Sequence, residues 1–170
     1  LLLLMLLEPM SVTRVPKTGE NDVLLVADDS ASLALKDVTT GKPVGDALKA
    51  ACVPEAEWQR ELERMFRVHA FSFSDRLQER GDFTALEFKG TRSALVGSME
   101  SLMQRHAKQP VAAVLLFTDG NATDAAKLEE LMSRAPPCPV FPVVVGLRAA
   151  PQDLALTSVG VTQTPFEDSP

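Results

Sequence analysis

The 170-residue chain has few of the residues that carry metal or disulfide chemistry in many small proteins. It contains two cysteines and two histidines. Cys52 and Cys138 lie far apart in the sequence and form no CxxC pair, so the spacing gives no support for a zinc site. We expect the two thiols to be buried and free rather than joined in a disulfide.

Basic residues are outnumbered by acidic ones. Lysine and arginine total 17 against 23 aspartates and glutamates, which gives a formal net charge of −6. Proteins that bind nucleic acid neutralise phosphates with clustered cationic side chains, and no basic stripe is present here. Nucleic acid is therefore not expected as a partner.

The chain also has no apolar run of the roughly 20 residues that a membrane-spanning helix needs. Seven apolar residues, "LLLLMLL", open the sequence, without the basic segment or the cleavage site of a signal peptide. We interpret residues 1–9 as the end of a truncated transmembrane helix, which predicts a membrane-anchored protein. An ordinary hydrophobic strand or helix start is the alternative.

Apolar residues make up 45% of the chain, enough for one globular domain. Continuous apolar runs such as "VLLVA" and "VAAVLLF" are typical of strands buried on both faces of a parallel sheet. Helical patterns alternate with them, which predicts an α/β fold with a doubly wound, mostly parallel sheet and helices on both faces. Expected strands cover 23–27, 66–75, 111–120 and 138–146, with a short edge strand at 83–88; expected helices cover 44–52, 54–66, 93–108 and 124–135.

The predicted domain occupies residues 23–148. Residues 10–22 are polar, contain proline and glycine, and are expected to form a linker. Residues 149–170 show alternation typical of a strand, and we interpret them as the start of a following β-type domain.

Two of the predicted strands end in an acidic residue. Asp28 follows "LLVA" and Asp119 follows "LLFT". Ligands of doubly wound sheets bind beyond the carboxyl ends of the strands, so these two carboxylates converge if their strands are neighbours. Ser30 and Ser32 follow Asp28 at spacings of two, and Thr91 lies in a glycine-containing loop before a helix.

Two carboxylates and three hydroxyls form a set of oxygen ligands suited to Mg²⁺ or Mn²⁺. Hydroxyls are neutral, so a divalent cation held by this set remains able to attract a further carboxylate. No histidine or lysine is placed to act as a general base. The residues therefore favour binding over hydrolysis.

Three segments, "DDSAS", "GTRSAL" and "AVLLFTDG", resemble the motifs of von Willebrand factor A domains, in the order found in that family and across residues 22–147. The resemblance implies a Rossmann-like fold and a metal-ion-dependent adhesion site. By motif position, it assigns the metal to Asp28, Ser30, Ser32, Thr91 and Asp119. It also implies a protein partner that offers an aspartate or glutamate to Mg²⁺ or Mn²⁺.

The leucine-rich start and the segments "PVFPVVVG" and "PQDLALTSV" are similar to bacterial membrane proteins related to the Bat aerotolerance proteins. In those proteins the A domain lies outside the cytoplasm between transmembrane helices, and some carry a glutamine-amidotransferase-like domain further on. The resemblance thus implies an extracytoplasmic, membrane-anchored binding module that is not itself an enzyme.

Three further residues are alternative ligands or close neighbours of the site. Ser93 is an alternative ligand to Thr91, because both hydroxyls belong to the same loop, and Gly120 follows Asp119. Asp29 adds a third acid, but alternation along an extended loop places it on the side opposite Asp28, Ser30 and Ser32. On that basis, Asp29→Ala is expected to leave metal affinity nearly unchanged.

Two other functions fit the sequence. One is a metal-assisted hydrolase or phosphatase in which Asp28 or Asp29 is the nucleophile and Lys36 or Lys89 assists. The other is a structural domain of a membrane complex that binds no metal, with the acids and serines as turn and cap residues.

Overall fold

A computed structural model describes residues 19–37, 39–134 and 136–146. Five strands form one sheet in the order β3-β2-β1-β4-β5. The strands are β1 (Asp22–Asp28), β2 (Arg67–Phe73), β3 (Leu77–Arg80), β4 (Val111–Thr118) and β5 (Val140–Val144). The α-helices are α1 (Val44–Ala51), α2 (Glu57–Met65), α3 (Leu95–Arg105) and α4 (Leu128–Ser133), and 3₁₀ turns cover Ala31–Ala34 and Ala125–Lys127.

The centre of the sheet is β1, all seven residues of which are buried. It pairs in parallel with β2 on one side and with β4 on the other, and β5 extends the parallel part beyond β4. The short β3 runs antiparallel to β2 at the opposite edge. A strand covered on both faces needs apolar residues at every position, which explains the unbroken run in β1.

Helices cover both faces of the sheet, and each face has its own core. One core joins β1 residues such as Leu24 and Val26 to Met99 and Leu102 of α3 and to Leu131 of α4. The second joins the alternate β1 positions to α1 and to a loop, and its members include Val23, Leu25, Leu48, Phe83 and Phe88. The predicted doubly wound, mostly parallel α/β fold is confirmed.

The prediction of a short edge strand at 83–88 is wrong. These residues form turns and irregular backbone, and the edge is made instead by β3 a few residues earlier. Phe83, Leu86 and Phe88 are nevertheless buried. Their apolar character reflects packing of the loop onto the sheet rather than strand pairing.

The apolar residues of α2 and its last turn, spaced three and four apart in the sequence, are only partly buried. Leu62 packs against the core, but Trp58 is 39% exposed and Met65 is 45% exposed. The Trp58 indole donates a hydrogen bond to the Ala51 carbonyl at 2.8 Å, and its ring centroid lies 6.4 Å from that of the buried Phe117 ring.

Cys52 and Cys138 are free and buried, as expected. Within the described ranges, no helix has the length and apolarity to cross a membrane. The segments assigned to a transmembrane helix end (1–9), most of the linker (10–18) and the start of a further domain (149–170) lie outside the described residues.

Candidate metal centre

The two strands that end in acids are neighbours. β1 and β4 pair in parallel, with Ala27 aligned to Phe117. Continuing that register sets Asp28 level with Thr118 and leaves Asp119 one residue further along. The carboxyl ends of the two strands therefore lie side by side at the carboxyl-terminal end of the parallel strands, where the sequence predicted them to converge.

Asp28 is the buried carboxylate at this end of the sheet, with no exposed surface. Its Oδ1 accepts a hydrogen bond from the Ser30 backbone N–H at 2.8 Å. Its Oδ2 accepts one from the Ser93 hydroxyl at 2.8 Å and a longer one, 3.4 Å, from Thr118. Burial raises the pKa of Asp28, hydrogen bonds from Ser30 and Ser93 oppose that rise, and the nearby charge of Asp119 adds to it.

The two serines of the first motif lie side by side. The Oγ atoms of Ser30 and Ser32 are 2.8 Å apart, and Ser30 is only 4% exposed. A single 3₁₀ turn, Ala31–Ala34, begins directly after Ser30. This turn bends the chain so that both hydroxyls face the same region instead of continuing along the strand.

The loop before α3 is fastened to the first motif through its backbone. The Gly90 N–H donates to the Asp29 carbonyl at 3.0 Å, and the Ala31 N–H donates to the Gly90 carbonyl at 2.8 Å, so that Ser30 and Gly90 form an isolated parallel bridge. The loop then brings Thr91 and Ser93 to a cavity of about 130 Å³, which is also lined by Ser30 and Ser32.

Thr91 and Ser93 have different roles in this loop. Ser93 is 2% exposed and donates to Asp28. Thr91 is exposed and lines the cavity. The structure thus brings together Asp28, Ser30, Ser32 and Ser93, and leaves Thr91 at the open side of the same cavity.

Asp119 lies at the rim of the group. Its Oδ1 accepts the Asn121 backbone N–H at 2.9 Å, and its Oδ2 accepts the Asn121 side-chain amide at 3.2 Å. Gly120 has φ +86°, a conformation that glycine adopts without strain, and its N–H donates to Thr118 Oγ1 at 3.1 Å. The connection after β4 turns sharply here, with Asp119 at its start.

Asp29 has a separate set of partners. Its Oδ1 accepts the backbone N–H groups of Glu87 at 3.1 Å and Phe88 at 2.7 Å, and its Oδ2 is 3.8 Å from an Arg80 guanidinium nitrogen. The carboxylate is thus directed at the 87–88 backbone and not at the partners of Asp28, the orientation that alternation predicted.

Thr118 is the residue of this group that sequence analysis missed. It is 5% exposed and connects Asp28 to Gly120 through one hydroxyl. The signal was present in the motif "FTDG". Residues that are level on adjacent parallel strands point to the same face of the sheet, so the Thr118 hydroxyl lies beside Asp28 once the register is known.

The candidate ligand atoms fit a hard divalent cation. They are carboxylate and hydroxyl oxygens, the ligand class of Mg²⁺ and Mn²⁺. In addition, a desolvated carboxylate such as Asp28 gains from a nearby positive charge. Among the described residues, no three histidine, cysteine, aspartate or glutamate side chains come together as a ligand group. A cation bound at this end of the sheet would therefore depend on the hydroxyls as much as on the carboxylates of Asp28 and Asp119.

Comparison with models of known protein families gave no match, and a search of curated proteins gave no significant match. The class that the fold defines is a doubly wound α/β domain. The resemblance to von Willebrand factor A domains continues to rest on the three motifs.

Proposed function

We propose that this domain is a divalent-metal-dependent protein-binding module of the von Willebrand factor A type, which recruits an acidic residue of a partner through Mg²⁺ or Mn²⁺. The proposal rests mainly on the groups that surround Asp28. One buried carboxylate meets hydroxyls from three separate segments of the chain, next to an open cavity lined by Thr91.

Each segment of the group has a distinct part in the proposed binding. Asp28 and Asp119 supply negative charge, and Ser30, Ser32 and Thr91 supply neutral oxygens. When bound, the cation provides an electrophilic position that takes a carboxylate oxygen of the partner. Ser93 and Thr118 hold the Asp28 carboxylate in one orientation through hydrogen bonds, since both donate to its Oδ2.

The contacts of the two candidate nucleophiles support binding over hydrolysis. Asp28 has no exposed surface, and the Oδ1 of Asp29 accepts two backbone N–H groups. Lys89 pairs with Glu87 at 2.9 Å on the surface. An aspartyl nucleophile needs a neighbouring group that activates or assists it, and the Lys89 ammonium is engaged by Glu87 instead.

The membrane anchoring and extracytoplasmic location remain proposals that rest on residues 1–9 and on the resemblance to Bat-related proteins. Fractionation of cells that express the full-length protein, with its natural N-terminus, tests both. The protein is expected in the membrane fraction, with this domain open to protease added outside the cytoplasm. Recovery only as a cytoplasmic protein would contradict them.

The metal proposal is tested by thermal unfolding with and without Mn²⁺. A ligand that binds only the folded state at about 100 times its Kd adds about 2.7 kcal/mol to the unfolding free energy. Wild-type protein is expected to show this stabilisation, and Asp28→Ala and Asp119→Ala to lose it. Asp82→Ala is the matched control, because Asp82 caps the Thr84 N–H on the surface.

Three outcomes of that titration bear on the proposal. An unchanged metal response in both site variants would contradict the assignment of the site. No response in wild-type protein would favour the structural-domain alternative. Release of phosphate from a generic phosphomonoester by wild-type protein, lost in Asp28→Ala, would favour the hydrolase.

A further inference from the structure

The side chain of Asp29 fixes a turn that leads directly into the candidate site. One of its oxygens accepts two consecutive backbone N–H groups, those of Glu87 and Phe88. Its own carbonyl accepts the Gly90 N–H at 3.0 Å. Asp29 therefore contacts the incoming loop at three of four consecutive residues, through both its side chain and its main chain.

Phe88 has the backbone conformation that most needs such support. It has φ +53°, and it is the one non-glycine residue with positive φ in the part of the chain that the structure describes. In this region the Cβ of an L-residue crowds the following carbonyl oxygen, which costs free energy relative to the right-handed region. A short hydrogen bond from its N–H to Asp29, 2.7 Å long, offsets that cost.

The ring of Phe88 is fixed from the other side by α1. The ring lies where a Cβ on Gly45 would be, since such an atom would approach it to 2.2 Å. The Lys49 ammonium lies 5.1 Å from the ring centroid. With its side chain held by the helix and its backbone held by Asp29, Phe88 sets the direction in which the chain continues to Thr91 and Ser93.

We propose that Asp29 is a positioning residue of the metal centre: its carboxylate holds the Glu87–Phe88 turn and thereby places the Ser93 hydroxyl against Asp28 and the Thr91 hydroxyl at the open side of the same cavity. This inference rests on the proposed metal function. It replaces the expectation that Asp29→Ala leaves metal affinity nearly unchanged, although the orientation behind that expectation was right. Asp29 acts through the loop and not as a ligand.

The variants Asp29→Ala and Asp29→Asn separate this role from one of charge. The asparagine side chain keeps a carbonyl oxygen that can accept both N–H hydrogen bonds, whereas the alanine side chain has no acceptor. Removal of groups that orient metal ligands typically lowers affinity about 10- to 100-fold. Calorimetric titration with Mn²⁺ is therefore expected to give a loss of that size for Asp29→Ala and an affinity near wild type for Asp29→Asn.

Asp82→Ala is the control for general destabilisation, because Asp82 accepts the Thr84 N–H in the same connection at 2.9 Å. It is expected to bind Mn²⁺ as wild type does. Equal losses in Asp29→Ala and Asp29→Asn would show that charge is what matters and would overturn the inference. An equal loss in Asp82→Ala, or no loss in Asp29→Ala, would overturn it as well.

Amide hydrogen exchange in metal-free protein tests the positioning without the metal. The amides of Gly90 and Ala31 report the bridge between the two motifs. Their exchange is expected to be faster in Asp29→Ala than in wild type or Asp29→Asn. Faster exchange confined to Glu87 and Phe88 would overturn the inference. If wild-type protein fails to bind Mn²⁺ while this exchange pattern holds, the proposed function fails and the positioning role stands.

Discussion

Thr118 lies level with Asp28 across the parallel β1–β4 pair, and its Oγ1 is 3.4 Å from Asp28 Oδ2. The same hydroxyl accepts the Gly120 N–H at 3.1 Å. One side chain therefore joins the buried carboxylate to the turn that carries Asp119. The two ends of the candidate site are coupled through a residue that is not itself an expected ligand.

Thr118→Val tests this coupling with a change of nearly equal shape. Loss of the hydroxyl removes both hydrogen bonds, and we expect the unfolding free energy to fall by about 1 kcal/mol and Mn²⁺ affinity to fall about tenfold. Denaturant unfolding and calorimetric titration measure the two effects. Thr84→Val, at an exposed position, is the control; wild-type affinity in Thr118→Val would show that Asp28 does not depend on Thr118.

Gly90 is predicted to be intolerant of a side chain. A Cβ there would lie 2.4 Å from the Ser74 Cβ and 2.8 Å from the Asp29 carbonyl oxygen, so the bridge to Ser30 must open. We expect Gly90→Ala to cost about 1–3 kcal/mol of unfolding free energy, as is typical of overpacking, and to weaken Mn²⁺ binding.

Gly81→Ala is the matched control for that change, because no atom of the part of the chain that the structure describes lies within 4 Å of a Cβ at position 81. It is expected to change stability little and to leave metal binding as in wild type. Equal stability of both alanine variants, measured by urea unfolding, would show that the backbones of the two motifs do not need the close approach seen at Gly90.

Patterns local in sequence predicted the central strands well, because a strand covered on both faces has to be apolar throughout. β5 is equally apolar, but four of its five residues are exposed, so the expectation of a strand buried on both faces is wrong there. The edge strand β3 escaped prediction for the converse reason. β3, "LQER", is largely polar and pairs on one side only, so its sequence carries little strand signal. The apolar residues of 83–88 gave a false one, because they pack onto the core from an irregular loop.

The candidate site shows a similar division. Asp28, Ser30 and Ser32 follow one another in the chain, and their grouping could be predicted from spacing. The hydrogen bond from Ser93 to Asp28 depends on the path of a loop 65 residues away. Contacts of that kind depend on tertiary packing, for example of Phe88 against Gly45, which no local pattern records.

The buried thiol of Cys52 is expected to resist modification in the folded protein. Cys52 is 1% exposed, and burial raises its pKa to about 11. Because the thiolate is the reactive form, native protein at pH 8 should react with a disulfide reagent only as fast as it opens. Urea-unfolded protein should react at both Cys52 and Cys138, and fast labelling of native Cys138→Ala would contradict the prediction.

His106 is expected to make stability depend on pH in the mildly acidic range. Burial lowers its pKa from the usual 6.5, Asp22 opposes that shift, and His69 adds to it. The ring packs edge-on against Phe71 with centroids 5.5 Å apart, and its Nδ1 is buried with no hydrogen-bond partner among the described residues. The folded state thus holds His106 neutral at a pH where the unfolded chain protonates it.

The sign of the pH effect follows from linkage. Below pH 6.5 the unfolded chain binds a proton at His106 more readily than the folded protein does. The contribution of the neutral ring to the unfolding free energy is therefore complete above pH 6.5 and decreases as the pH falls below it. His106→Phe keeps an aromatic ring and removes the titration. Urea unfolding at pH 7.5 and 5.5 should therefore show a smaller loss of stability in His106→Phe than in wild type, and equal losses would exclude His106 as the source.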